Sequence, residues 1–170
     1  MAVHHSEKAT VRAAASADAE AVAAIYNHFV LRTIVTFEEE PVSPAEIARR
    51  MDDVREAFLP WLVAERAGAV VGYAYATAWR VRRGYRYSTE VTVYVAPGAG
   101  GLGIGSLLYA DLIPALDERG IHTAMGGIAL PNDASVALHE KFGFKKVAHF
   151  EQVGVKFDRW IDVGYWQRIL

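Results

Sequence analysis

Residues 88–105 read Ser-Thr-Glu-Val-Thr-Val-Tyr-Val-Ala-Pro-Gly-Ala-Gly-Gly-Leu-Gly-Ile-Gly. The first eight alternate: Val91, Val93 and Val95 share one face of a strand, and Glu90, Thr92 and Tyr94 share the other. Five glycines follow within eight residues, Gly98, Gly100, Gly101, Gly103 and Gly105, and a helical pattern runs from about Gly103 to Arg119 before Gly120 stops it. Successive backbone N–H groups in such a turn, together with the helix N-terminus, suit phosphate oxygens, because no Cβ blocks the approach. The other reading is a flexible surface loop.

Working outward, short strands are expected at Thr10–Ala13, Trp61–Glu65 and Val70–Trp79, the last two hinged at Ala67-Gly68. Further strands are expected at Ile121–Ile128, Lys145–Lys156 and Trp160–Ile169. Ser16 is positioned to cap a helix that continues through Leu31. Ser43-Pro-Ala-Glu46 reads as a capping box ahead of the stripe Ile47, Met51, Val54 and Phe58. Pro114 is expected to kink the helix it interrupts, and Asn132–Phe142 forms a short helix closed by Gly143. The order is that of a mixed α/β (α+β) domain around one central sheet, with residues 1–170 as a single domain and residues 1–9 as a flexible tail.

The 170 residues carry 18 Lys plus Arg and 20 Asp plus Glu, a net charge of -2 that argues against nucleic acid as a partner. Cysteine is absent, so disulfides, a thiolate nucleophile and Cys-based metal sites are excluded. No apolar run is long enough to cross a bilayer, and the first ten residues have no apolar signal core, so no membrane partner and a cytoplasmic location are expected. The six histidines show no metal-like pairing, and no metal is expected.

Two phosphate motifs fit poorly. Gly98 to Gly103 spells G-x-G-x-x-G, but it follows several strands and lacks an acidic residue near Ile128. Gly100 to Gly105 has P-loop spacing, but Ser106 stands where lysine is required.

Six blocks along the chain resemble the GNAT superfamily, and within it the phosphinothricin and methionine sulfoximine N-acetyltransferases. They are Pro60-Trp-Leu-Val-Ala-Glu65, Val91-Thr-Val-Tyr-Val95, Leu102-Gly-Ile-Gly-Ser-Leu-Leu-Tyr109, Leu130-Pro-Asn-Asp133, Leu138-His-Glu140 and Asp162-Val-Gly-Tyr-Trp-Gln-Arg168. The resemblance implies a mostly antiparallel sheet flanked by helices and splayed between the strands at 88–95 and 121–128. It also implies acetyl-CoA as co-substrate, a small-molecule amine as acceptor and a homodimer, with Trp160, Tyr165 and Trp166 as interface or core aromatics. The Gln/Arg that opens the family's pyrophosphate loop is replaced by Gly100.

Transfer of an acetyl group from a thioester to an amine requires an amine freed of its proton, a polarised carbonyl and a stabilised thiolate. Glu90 interrupts an apolar strand, where burial would raise its pKa, and is the candidate base; a salt bridge is the alternative role. The resemblance puts the base at this position. It puts His139 where most of the superfamily has tyrosine, as acid or as a participant in deprotonation. By the same resemblance Val93, Tyr94, Val95 and Asn132 meet the pantetheine arm, and Gly100, Gly101, Leu102, Gly103, Ile104, Gly105 and Ser106 cradle the pyrophosphate. Arg80, Arg82, Arg83 and Arg86 form a basic cluster suited to a carboxylate or phosphinate, with Arg80 and Arg82 the expected contacts. The cluster reads equally as solvated charge or as a patch for the 3′-phosphate of CoA. Phe37 and Tyr85 are candidate walls for the acceptor, or core plugs. Another acceptor, such as a polyamine or a protein N-terminus, and a non-catalytic CoA sensor are the competing readings.

Overall fold

Seven strands join in one sheet in a computed structural model that describes residues 8–170. The tail expected over residues 1–9 falls mainly on residues 1–7, outside the described residues, and Ala9 packs against the core. β1 (Thr10–Ala13) leads through a 3-10 turn at Ser16–Asp18 into α1 (Ala19–Arg32). Ser16 makes no capping bond. The Asp18 carboxylate does this work instead, accepting from the Ala15 N–H at 2.7 Å and twice from the Arg12 guanidinium at 2.8 Å. A carboxylate held by a charged donor makes a stronger anchor than a hydroxyl.

Half of the expected capping box forms at the start of α2 (Pro44–Glu56): Ser43 Oγ accepts from the Glu46 N–H at 3.1 Å, with proline in the first turn, and no bond from Ser43 N–H to the Glu46 side chain answers it. The Glu46 carboxylate is engaged by Arg49 and Arg50. Ile47, Met51 and Val54 are buried, but Phe58 lies past the helix end at φ 56° and is 84% exposed. The apolar stripe therefore stops where the helix stops.

β2 (Trp61–Arg66) and β3 (Ala69–Ala78) form the hairpin expected at Ala67-Gly68. β4 (Ser88–Val95) follows, then α3 (Ile104–Asp117), which continues without interruption past Pro114 to its last turn. β5 (Thr123–Leu130), α4 (Asp133–Lys141), β6 (Lys145–Lys156) and β7 (Arg159–Ile169) complete the order. β5 begins two residues later than its apolar run suggests. The sheet order is β1-β2-β3-β4-β5-β7-β6, with β4–β5 the parallel pair and every other pair antiparallel.

The alternation of β4 separates two apolar layers. Val91 belongs to a cluster around Leu108, Leu112 and Leu116 of α3, while Tyr94 packs against the cluster of α1, α2 and Tyr73. The parallel ladder between β4 and β5 covers only Ser88–Glu90 against Thr123–Met125. Beyond Glu90 the two strands part, which is the expected splay, and the opening between them positions the site. No helix among the described residues is long and apolar enough to cross a membrane.

Candidate active site

A cavity of about 780 Å³ occupies the splay. Its walls are β4 from Glu90 to Val95, the glycine turn, β5 from Gly127 to Ala129, α4, Tyr165 of β7 and the 35–37 segment. Most of the candidate residues meet here: Glu90, His139, Val93, Tyr94, Val95, Gly100, Gly101, Gly103, Ile104, Gly105, Ser106, Asn132 and Phe37 all line it. Leu102 does not line it and points to solvent at 53% exposure. Arg80, Arg82 and Tyr85 all lie outside the lining, the last two in an exposed turn; Arg80 stacks its guanidinium 4.5 Å from the centroid of the Trp79 ring and acts on Glu90 through its charge.

The glycine turn provides a cradle open to a ligand. Gly98, Gly101 and Gly103 have positive φ, and Gly103, at φ 76°, is the N-cap of α3. A Cβ added at Gly100, Gly101 or Gly103 would meet no atom within 4 Å. The space in front of the α3 N-terminus is therefore free, and its first-turn N–H groups are donors without intrahelical acceptors. Lys141 of α4 reaches over to Ser106 Oγ at 2.9 Å, bringing the one lysine or arginine of the lining to a loop that has no cationic side chain of its own. The sequence reading did not find Lys141; a lysine two positions past His139 gives no signal until α4 is docked on α3.

Glu90 and His139 lie on opposite faces of β5. A Cβ on Gly127 would stand 3.0 Å from Glu90 Oε1 and 3.1 Å from the Tyr165 ring, while a Cβ on Gly126 would stand 2.6 Å from Cδ2 of His139 and closer still to Nε2. Adjacent strand residues face opposite ways, so the Gly126-Gly127 pair lets both groups approach one strand from its two sides.

Burial pushes the Glu90 carboxyl above its usual range, and the Arg80 charge partly offsets this. Burial also raises the Tyr165 hydroxyl, again with Glu90 and Arg80 as its charged neighbours. His139 is 3% exposed and its pKa is pulled down by burial, with the Ser135 carbonyl opposing. That carbonyl can only accept, so His139 Nδ1 carries the proton it donates at 2.8 Å. Nε2 is then the acceptor for the hydroxyl of Tyr109, 2.9 Å away and fully buried.

Tyr109 carries no signal of a site role in the sequence, where it reads as one more position of the helix after the glycine turn. Tyr165, expected as an interface or core aromatic, lines the cavity instead, because its register opposite Gly127 turns it toward Glu90. Trp166 is a core residue at 3% exposure, and Trp160 is 67% exposed. Among the described residues no group of three or more His, Asp or Glu could hold a metal ion.

Residues 11–164 match the family described as acetyltransferase (GNAT) domain. The chain is similar to a phosphinothricin N-acetyltransferase of Streptomyces coelicolor, at 41% identity over 94% of this chain and 95% of that protein. It is also similar to an L-methionine sulfoximine/L-methionine sulfone acetyltransferase of Salmonella typhimurium, at 39% identity over 93% and 92%. A GNAT superfamily phosphinothricin acetyltransferase from Sinorhizobium meliloti, solved in complex with acetyl-CoA, superposes with a TM-score of 0.92 at 37% identity, covering 95% of this chain and 88% of that one.

Proposed function

The chain belongs to the GNAT acetyltransferase family, and on that premise we propose that it transfers the acetyl group of acetyl-CoA to the amino group of a small amino-acid analogue of the phosphinothricin, methionine sulfoximine or methionine sulfone type. The observation that carries the reading is the cavity itself, in which an open glycine cradle and a buried carboxylate share one splayed sheet. Acetyl-CoA fits the residues present: the free α3 N-terminus and Lys141 would hold its phosphates, and the unpaired edge of β4 would meet its arm. When bound it supplies the acetyl group as an activated thioester.

The chain's own groups do the rest. Glu90, in its ionised form, takes the proton from the acceptor ammonium at its carboxylate oxygen, directly or through one water. Tyr165 meets Glu90 over Gly127, and the Arg80 charge acts on both, which suits an acceptor that presents a carboxylate or phosphinate to this end of the site. His139, on the opposite side of β5, belongs to the sulfur end; it keeps its proton at Nδ1 and holds the Tyr109 hydroxyl at Nε2. Residues 1–170 are read as one such domain. Acetyl-CoA is a cytoplasmic metabolite, so the reading puts the chain in the cytoplasm. It also pairs two copies in a homodimer, supported by the exposed Phe150, Val155 and Trp160 on the β6–β7 hairpin.

Thiol release from acetyl-CoA, followed across methionine sulfoximine, methionine sulfone, phosphinothricin, ordinary amino acids and spermidine, tests the function. Turnover confined to the first three is expected. Turnover with spermidine instead, or none with CoA still bound, would overturn the small amino-acid acceptor. With the acceptor in hand, Arg80→Gln is expected to raise its KM about tenfold, in line with loss of a charge-assisted contact. The same change removes the charge that favours ionised Glu90, so the acid limb of kcat/KM moves to higher pH. An unmoved limb and an unchanged KM would take Arg80 out of the site.

A further inference from the structure

Lys156, the last residue of β6, is 1% exposed, yet its ammonium meets no carboxylate within ion-pair distance among the described residues. Its Nζ donates to the backbone carbonyl of Thr36 at 2.7 Å. The ammonium also lies 5.3 Å from the centroid of the Phe157 ring, and Glu38 and Glu39 of the 35–39 stretch are its nearest opposing charges, so its partners draw it toward that stretch. Two residues earlier on the same face of β6 stands Gly154, where a Cβ would lie 2.5 Å from Phe37 Cε1 and closer to Cζ. One strand therefore grips two consecutive residues of another segment, Thr36 by its backbone and Phe37 by its ring.

That segment joins α1 to α2, and Val35, Thr36 and Phe37 line the cavity. Its other anchors come from the two helices it connects: Tyr26 OH bonds to Thr36 Oγ1 at 2.8 Å, and Arg50 pairs with Glu38 at 2.6 Å. Lys156 and Gly154 hold it from a third element, β6. The β6–β7 register shifts between Phe150 and Gly154, with Gln152 at φ 50°, and resumes at Gly154 opposite Ile161, ahead of Lys156. A bulge re-aims the residues that follow it.

We propose that Lys156 and Gly154 are positioning residues for acceptor selection, together clamping the 35–37 segment so that Phe37 forms a fixed wall against which the acceptor side chain is measured. This rests on the acetyltransferase reading above and extends it to the part of the chain that sets acceptor size. Neither residue touches the reacting atoms; both act through Phe37.

Lys156→Met keeps an unbranched chain one atom shorter and removes the donor, and Gly154→Ala pushes the Phe37 ring from its seat. Either change is expected to raise the KM of the acceptor found by the panel at least tenfold, leaving the KM of acetyl-CoA within twofold. In a Phe37→Ala background Lys156→Met should add little, because the wall it holds is gone. Hydrogen exchange at the Val35 and Glu38 amides, which are bonded to Thr33 Oγ1 and Thr36 Oγ1 at 3.3 Å each, should accelerate at least tenfold in Lys156→Met. Parallel rises in both KM values with a lower Tm would show ordinary scaffolding and overturn the proposal, as would unchanged values in both variants. If no acceptor in the panel turns over, the functional reading fails separately, and unchanged exchange at 35 and 38 alone overturns the clamp.

Discussion

Glu90→Gln is expected to lower kcat by about 10²- to 10⁴-fold, the range that a positioned general base contributes, with affinity for acetyl-CoA close to wild type. The amide keeps the shape of the side chain beside Gly127 and Tyr165 but cannot accept the ammonium proton. Burial holds the Glu90 carboxyl above its usual range, so the ionised form is disfavoured in the folded chain. Two consequences follow with defined signs. The base works only when ionised, so activity falls as pH drops through this raised value, and the limb disappears from the residual activity of the variant. At neutral pH the wild-type chain bears the cost of a partly dry charge, which the amide lacks, so the variant's Tm should equal or exceed the wild-type value. Calorimetric binding of acetyl-CoA, a thiol-release pH profile and thermal melts check all three. A kcat within about threefold of wild type would remove Glu90 from the chemistry and favour a CoA-binding role that does not depend on it.

Gly126→Ala is expected to be the most damaging single methyl in the chain. The added Cβ would overlap the His139 ring, which is buried and fixed at both nitrogens by Ser135 and Tyr109. The ring has no rotamer to give up without breaking a bond, so overpacking of about 1–3 kcal/mol adds to the loss of a buried hydrogen bond of about 1 kcal/mol. For a chain of this length, a total of about 2–4 kcal/mol corresponds to a fall in Tm of roughly 4–16 °C. Turnover should fall with it, since the displaced ring no longer occupies the cavity wall. The control is internal: in a His139→Ala background the same substitution meets open space, and its cost should largely vanish. A wild-type Tm for the single variant, or full cost in the double, would show that His139 does not sit against β5 in solution.

These two residues illustrate how unevenly the site is written along the chain. Glu90 is legible because it sets a carboxylate in an otherwise apolar strand, a local feature that needs no partner to be noticed. Gly126 is silent: it lies in an expected strand, and its necessity appears only when His139, thirteen residues later, is folded back across it. Tyr109 looks like one more apolar position of α3 until its hydroxyl is found against the same histidine. Ser16 and Phe58 show the converse, where a correct local pattern yields to a long-range partner or to the end of a helix.

What the sequence determined by itself is the order of the elements, the two faces of β4, the glycine cradle, the start of α2 at Ser43 and the family resemblance. All of these follow from short-range periodicity, turn chemistry and motifs within single segments. What only the tertiary structure decided is the register of β5 against β7, which turns Tyr165 toward Glu90, the placement of Glu90 and His139 on opposite sides of one strand, and the grip of β6 on Thr36 and Phe37. The reason is physical: a single residue of shift would move each of these side chains to the other face, and which register wins is set by burial summed over the whole sheet rather than by any segment alone.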